Sequence, residues 1–285
     1  MRFSLVIATI DRVKELKKFF EGLEKQKTKD LEVIIVDQSG DDRYVELIEQ
    51  YNKIWPIIHV RTGKMKVRAA TVFGTEKATG DIITFPDDDC IYTPTVLEQV
   101  DQHFRSKEAP QFVTGSVVNL DGNPTKMGRW LTSSTWLNAK NIWTGLIEFN
   151  VFVSRAAYEA VGGYDTDMGL GAKFGAAEGP DLGLRLLKRG YKGYFDKNLV
   201  VMHPDKPITI NGPRAISYGL GHGYAMRKNN SGLDTVGVFL FRPLAGAFLN
   251  LISRDKKKAA YYWYTFVGRS KAYFSKEARI AAKKS

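Results

Sequence analysis

The chain has 285 residues, 44% of them hydrophobic, and its 42 lysines and arginines against 31 aspartates and glutamates give a net charge of +11. That length and apolar content support a large core, in one big domain or a domain with an appendage, and exclude a disordered chain. The single cysteine, Cys90, excludes a disulfide framework and a cysteine-built zinc site and makes a reducing compartment the expectation.

Met1 to Ile10 is an apolar run too short for a signal peptide, and it meets Asp11-Arg12 with no cleavage-type segment behind it, so residues 3 to 9 read as a first strand. Residues 12 to 26 place Val13, Leu16, Phe19, Phe20 and Leu23 on one face of a helix, and 31 to 37 form a second strand. Asp41 to Tyr51 continues as a helix, Ile57 to Arg61 as a strand, Arg68 to Thr79 as a helix ending at Gly80, and Ile82 to Phe85 as a further strand. Such alternation predicts a parallel sheet with helices on both faces and ligands beyond the carboxyl ends of the strands. Three polar clusters fall at those ends: Thr9 to Arg12, Asp37 to Asp42, and Asp87 to Asp89. A dinucleotide-binding domain shares the alternation but needs a glycine fingerprint after the first strand, and Ala8-Thr9-Ile10-Asp11-Arg12 has none.

From about residue 111 the pattern changes to strand-like pieces, Phe112 to Leu120 and Leu146 to Val153, around a loop carrying Trp130, Trp136 and Trp143. Those rings suit stacking on sugar faces, but the plainer reading is a packed lid or a core patch. No internal repeat or low-complexity linker occurs. Toward the C-terminus, Val236 to Ser253 is apolar but interrupted, followed by the basic run Arg254 to Lys258, the aromatics Tyr261 to Tyr264, and a second basic stretch from Lys276 to Lys284. No uninterrupted apolar stretch approaches the ~20 residues that cross a bilayer, so a soluble or peripheral protein is expected. A helix pair lying on a membrane and a helical appendage packed on the domain or on a second copy both fit this stretch.

The run Ile82-Ile83-Thr84-Phe85-Pro86-Asp87-Asp88-Asp89 ends in three adjacent carboxylates, which repel one another and raise their own pKa values unless something compensates them. Magnesium or manganese does so with one or two carboxylates, leaving its other positions to water and phosphates. Strand alternation makes Asp87 and Asp89 the functional pair and turns Asp88 elsewhere, toward a ribose hydroxyl. The other reading is an acidic turn before a helix starting near Thr93-Pro94-Thr95.

Together these motifs resemble the family 2 glycosyltransferases, inverting enzymes of the GT-A fold that use nucleotide sugars, over residues 3 to 204. Ser4 to Arg12 is similar to the family's opening strand and turn, and Val33 to Ser39 to its second strand. Lys64 to Gly74 with Ala78-Thr79-Gly80-Asp81 looks like the helix before the metal motif, and Phe85 to Asp89 matches the DxD element. Val161-Gly162-Gly163-Tyr164-Asp165 resembles the turn after the acceptor-side strand, and Glu178 to Arg185 the acidic helix start that carries the catalytic base. The resemblance implies donor contacts from Thr9, Asp11, Arg12, Asp37, Arg68, Asp87 and Asp88. It implies a Mg2+ or Mn2+ ion on Asp87 and Asp89, with His203 in Val200 to Pro204 as a further ligand. Many relatives have Glu-Asp where this chain has Glu178-Gly179, so the base is Glu178 or Asp181; an acid at 181 also caps a helix. His59, His103 and His222 lack a supporting motif and read as structural.

The expected architecture is therefore α/β, a GT-A, mostly parallel sheet flanked by helices. Residues 1–210 form its catalytic domain, 1–110 for the nucleotide sugar and 111–210 for the acceptor, and residues 211–285 a helical appendage. The implied function is sugar transfer from a nucleotide-diphosphate donor to a hydroxyl of a glycan or lipid-linked acceptor in cell-surface polysaccharide synthesis. The expected setting is the cytoplasm, on the inner face of the membrane, with an anionic lipid surface and a second copy as candidate partners and nucleic acid excluded. A sugar-phosphate nucleotidyltransferase would ordinarily have a glycine-rich basic loop after strand one, which this chain lacks, and a non-catalytic nucleotide-sugar- or glycan-binding module is the remaining alternative.

Overall fold

Residues 3–84 fold as the alternation predicts. In the computed structural model, which describes residues 1–125, 127–205 and 210–284, Phe3–Thr9 (β1), Val13–Glu24 (α1), Leu31–Asp37 (β2), Val45–Tyr51 (α2), Ile57–Arg61 (β3), Val67–Thr75 (α3) and Ile82–Thr84 (β4) succeed one another. Their strands lie in the order β3-β2-β1-β4, all parallel. β1 and β2 are buried along almost their whole length, as continuous apolar runs covered by helices must be. Leu16, Phe19, Phe20 and Leu23 of α1 enter the same core as Tyr44, Tyr51 and Trp55.

Helix ends differ from the expected ones where backbone groups find nearer partners. Asp41 accepts the Arg43 amide hydrogen, so the helix expected from 41 begins at Val45. α3 stops at Thr75 rather than Thr79, and the chain then turns so that Gly80 passes close under β1; a Cβ there would lie 2.8 Å from the Arg2 carbonyl oxygen. β4 stops at Thr84, ahead of Pro86, which has no amide hydrogen to give.

Beyond β4 the sheet becomes mixed. Ile91–Tyr92 (β5), Val96–Phe104 (α4), Phe112–Val118 (β6), Thr135–Trp136 (β7), Ile142–Gly145 (α5), Val151–Ser154 (β8), Arg155–Ala160 (α6), Glu178–Lys188 (α7) and Gly193–Met202 (β9) follow. The order continues β4-β8-β6-β9-β5, with β8 antiparallel to both neighbours and β6 parallel to β9. The strand expected over 146–153 starts only at Val151, because a single 3-10 turn at Glu148–Asn150 precedes it. Gly162 and Gly163 both take positive φ, 74° and 66°, in the turn after α6, a conformation that glycine adopts without a steric penalty.

The chain divides into two compact units, residues 1–163 with 186–206 and residues 164–185 with 207–285. The boundary expected at 210 follows chain continuity, whereas Tyr164–Arg185 packs with the C-terminal helices Gly212–Lys228 (α8), Leu233–Ile252 (α9), Lys256–Tyr273 (α10) and Lys276–Lys284 (α11). Within that second unit α8 and α10 touch through glycines: a Cβ at Gly223 would lie 2.1 Å from the Arg269 carbonyl oxygen and one at Gly268 2.4 Å from that of Ile216. α9, a 20-residue helix interrupted by Arg242, is long and apolar enough, by length and composition alone, to cross a bilayer.

Candidate active site

The parallel register carries Thr9 and Asp37 to the same level at the carboxyl ends of β1 and β2, with Arg61 beside Asp37 on β3. Asp37 is buried; its Oδ1 accepts the Ser39 amide hydrogen and its Oδ2 lies 3.0 Å from His59 Nε2. Asp11 takes a positive φ of 58°, gives its amide hydrogen to Ser39 Oγ and pairs with Arg43 at 2.6 Å. Arg68 is buried in the first turn of α3. The rim of the parallel strands thus gathers Thr9, Asp11, Asp37 and the aspartate triplet, as the alternation predicts.

The triplet follows β4 in a turn closed by the Cys90 amide donating to the Asp87 carbonyl at 3.1 Å. That turn, rather than strand alternation, aims Asp87 and Asp89 at His203, whose Nε2 lies 3.6 Å from Asp87 Oδ2 and 3.2 Å from Asp89 Oδ1. Asp88 turns into the protein instead of toward a ribose: Thr9 Oγ1 donates to it at 2.7 Å and Arg12 at 2.6 Å. Arg12 also reaches Asp89 at 2.6 Å, so its guanidinium braces two of the three carboxylates. Tyr44, buried beneath them, accepts the Arg12 amide hydrogen at 2.8 Å and sits 2.9 Å from Thr9 Oγ1.

Burial pushes the Asp88 carboxyl up to about 6, against the Thr9 hydrogen bond and the attraction of Arg12. Burial also disfavours a charged His203, yet its hydrogen bonds to Asp87 and Asp89, together with their negative charge, raise it to about 9. The other ring nitrogen, Nδ1, donates to the Pro204 carbonyl at 2.8 Å, and the ring stacks on Phe149 at 4.6 Å, so Nε2 is fixed toward the carboxylates. The pocket already takes up one positive charge, the imidazolium proton. Two carboxylates and a histidine nitrogen converging there are a donor set that fits a divalent cation.

In the second unit Glu178 and Asp181 open α7 but have different surroundings. Asp181 is fully buried, 2.9 Å from both Arg185 Nε and Lys228 Nζ and 2.8 Å from Asn229 Nδ2. Burial alone would raise its pKa, but Arg185 and Lys228 hold it below the usual carboxylate range. Lys228 also pairs with Asp165 at 2.7 Å, and the Tyr224 ring stacks on Phe174 at 3.8 Å. Glu178, also buried, follows Ala177, which holds a positive φ of 68°. That conformation costs an L-residue about 1–2 kcal/mol, and such strain concentrates where a side chain must be aimed.

Of the three loop tryptophans, Trp130 packs against the core and Trp143 donates to the Ala139 carbonyl. Trp136 is exposed, edge-on to Tyr194. Tyr44, His59 and Phe149 are site residues that sequence reasoning missed. Tyr44 and Phe149 read as ordinary apolar positions, and only the β2–β3 register brings His59 to Asp37.

Known structures match this architecture. S. aureus TarS, residues 1–349, aligns with a TM-score of 0.63 at 12% identity over 96% of this chain and 93% of that one. The mannosyltransferase PcManGT from Pyrobaculum calidifontis, solved with GDP-Man and Mn2+, gives 0.63 at 15% identity over 96% and 88%. A TarS structure with UDP-GlcNAc gives 0.64 at 11% over 96% and 93%. The fold is the GT-A fold of glycosyltransferases. The family model for glycosyl transferase family 2 matches residues 4–162, more than half of the chain, and the protein belongs to that family. Among curated relatives, the uncharacterized glycosyltransferase alr2836 of Nostoc sp. is 26% identical over 126 residues, 42% of this chain. The uncharacterized glycosyltransferase YwdF of Bacillus subtilis is 32% identical over 101 residues, 35% of this chain. Each match spans 37% of the relative's own length.

Proposed function

We propose that this glycosyltransferase is a divalent-metal-dependent, inverting enzyme that moves a sugar from a nucleotide-diphosphate donor to a hydroxyl of a glycan or lipid-linked acceptor in cell-surface polysaccharide synthesis. The observation that carries the reading is the convergence of Asp87, Asp89 and His203 at the rim of the parallel strands. Asp87, Asp89 and His203 would hold Mg2+ or Mn2+, which when bound stabilises negative charge on a departing diphosphate. The GDP-Man and Mn2+ held by PcManGT and the UDP-GlcNAc held by TarS support a nucleotide-sugar donor.

Asp37, at the end of β2, and Arg68, at the start of α3, serve the donor's nucleoside and phosphates, with Asp11 beside them on the turn after β1. Thr9 and Arg12 act one step removed, by holding Asp88 and Asp89 in place. Glu178 is the general base that takes the acceptor hydroxyl's proton, because Asp181 already spends both oxygens on Arg185, Lys228 and Asn229. Calorimetric titration of nucleotide diphosphates and their sugars in the presence of Mn2+, with initial rates alongside, tests the assignment. Glu178→Gln should bind the donor as the wild type does and turn over about 100- to 10,000-fold more slowly. Unchanged turnover would remove Glu178 from the reaction.

A further inference from the structure

The helical unit presents a surface that the transfer reaction does not use. Along α9, Val238, Phe241, Ala245, Phe248 and Ile252 recur at helical spacing and are all exposed, Phe241 and Phe248 each at 64% and Ile252 at 65%. Between α9 and α10 lies an open groove of about 780 Å³ lined by apolar side chains including Leu244, Leu251, Ala259 and Trp263, with Lys256 at its edge. A contiguous apolar surface of this kind on a folded protein marks an interaction site.

Charge identifies the partner. Residues 211–285 hold 14 lysines and arginines against three acidic residues, a net +11 equal to that of the whole chain, so the other 210 residues balance. At the α9–α10 junction Arg254, Lys256, Lys257 and Lys258 are exposed, and Asp255 pairs with Lys258 alone. Among the described residues no carboxylate pairs with Arg254, Lys256 or Lys257. A second copy would bring the same positive charge, whereas an anionic bilayer offers both phosphates for the lysines and hydrocarbon for the stripe. Trp263, Tyr262 and Tyr264 on α10 are exposed and suit the headgroup layer.

The fold also decides how the surface meets lipid. α9 alone is long enough to span, but α8 before it and α10 after it are packed backbone to backbone at Gly219, Gly223 and Gly268. Both ends of α9 are thereby held on one side, and a single crossing would pull α10 away from α8. Arg242 in the middle of the helix argues the same way. We propose that the second unit docks on anionic lipid, with α9 lying in the plane of the interface. The stripe from Val238 to Ile252 and the α9–α10 groove then sit in the acyl boundary, and Arg254 and Lys256 to Lys258 sit among the phosphates. This goes beyond the glycosyl-transfer reading and does not depend on it.

The test is flotation of the full chain with vesicles of phosphatidylcholine, with or without phosphatidylglycerol. The wild type should float with the anionic vesicles and lose at least about tenfold in partitioning without phosphatidylglycerol or at high salt. Lys256→Glu/Lys257→Glu/Lys258→Glu and Phe241→Ser/Phe248→Ser should each lose at least about tenfold, while far-UV circular dichroism and donor binding stay as in the wild type. A wild type that stays out of anionic vesicles overturns the proposal, as do variants that float as well as it does. A dimer in sedimentation velocity that Phe241→Ser/Phe248→Ser abolishes, without vesicle binding, would assign the face to a second copy instead.

Discussion

Asp89 and Asp181 are both buried aspartates held by several side chains, and the difference lies in what those side chains are. Asp181 and Asp165 share Lys228, and Asp181 has Arg185 besides. Asp88 and Asp89 pair with Arg12, and Asp87 and Asp89 face His203, a side chain whose charge depends on a proton. The first cluster ties α7 to α8 through Lys228 and Asn229. The second lies at the mouth of the parallel strands, where the proposed divalent cation and diphosphate would meet it.

Substitutions separate the two clusters. Asp89→Ala should lower turnover on the order of a thousandfold while the circular dichroism spectrum is retained, because the proposed function gives the removed group to the metal. Turnover within a few-fold of wild type would break the contrast at once. Asp181→Asn should do the reverse: urea unfolding would show a loss of about 3 kcal/mol, since half-buried Arg185 would lose its carboxylate and buried Lys228 would keep only Asp165. If turnover of the folded variant collapsed instead while stability held, Asp181 would be the base.

Proton dependence sharpens the comparison further. In the metal-free protein His203 titrates near 9 against about 6.5 when unfolded, so its pairing stabilises fully below pH 6.5 and is lost as pH rises through 9. Unfolding free energies measured across that window should fall by up to about 3 kcal/mol more in the wild type than in His203→Gln. Identical slopes in the two proteins would show that the histidine is not charged by its neighbours. The smallest effect concerns Ala177, whose positive φ glycine tolerates: Ala177→Gly should raise stability by up to about 1 kcal/mol. Calorimetric melting would show the gain, and destabilisation would mean that the backbone there is unstrained.

How much of this was legible in the sequence depended on range. The parallel half of the sheet was, because β1, α1 and β2 each carry their own periodicity, and strand ends follow once the strands are known. The triplet's role as a cluster was legible too, since three adjacent carboxylates need compensation wherever they lie. The compensating partners were not: Arg12 is 76 and 77 positions from the aspartates it braces, and Lys228 is 47 from Asp181. Local pattern places Asp181 at a helix start and stops there. For the same reason Tyr164–Arg185 read as part of the first domain, although it packs with helices that begin only after residue 211.

The most direct test of the central claim is a Mn2+ titration followed by electron paramagnetic resonance, in the presence of UDP or GDP, on the wild type and on Asp89→Ala. A stoichiometric Mn2+ site in the wild type, abolished in Asp89→Ala, is the expected result. Equal Mn2+ affinity in the two proteins would contradict it.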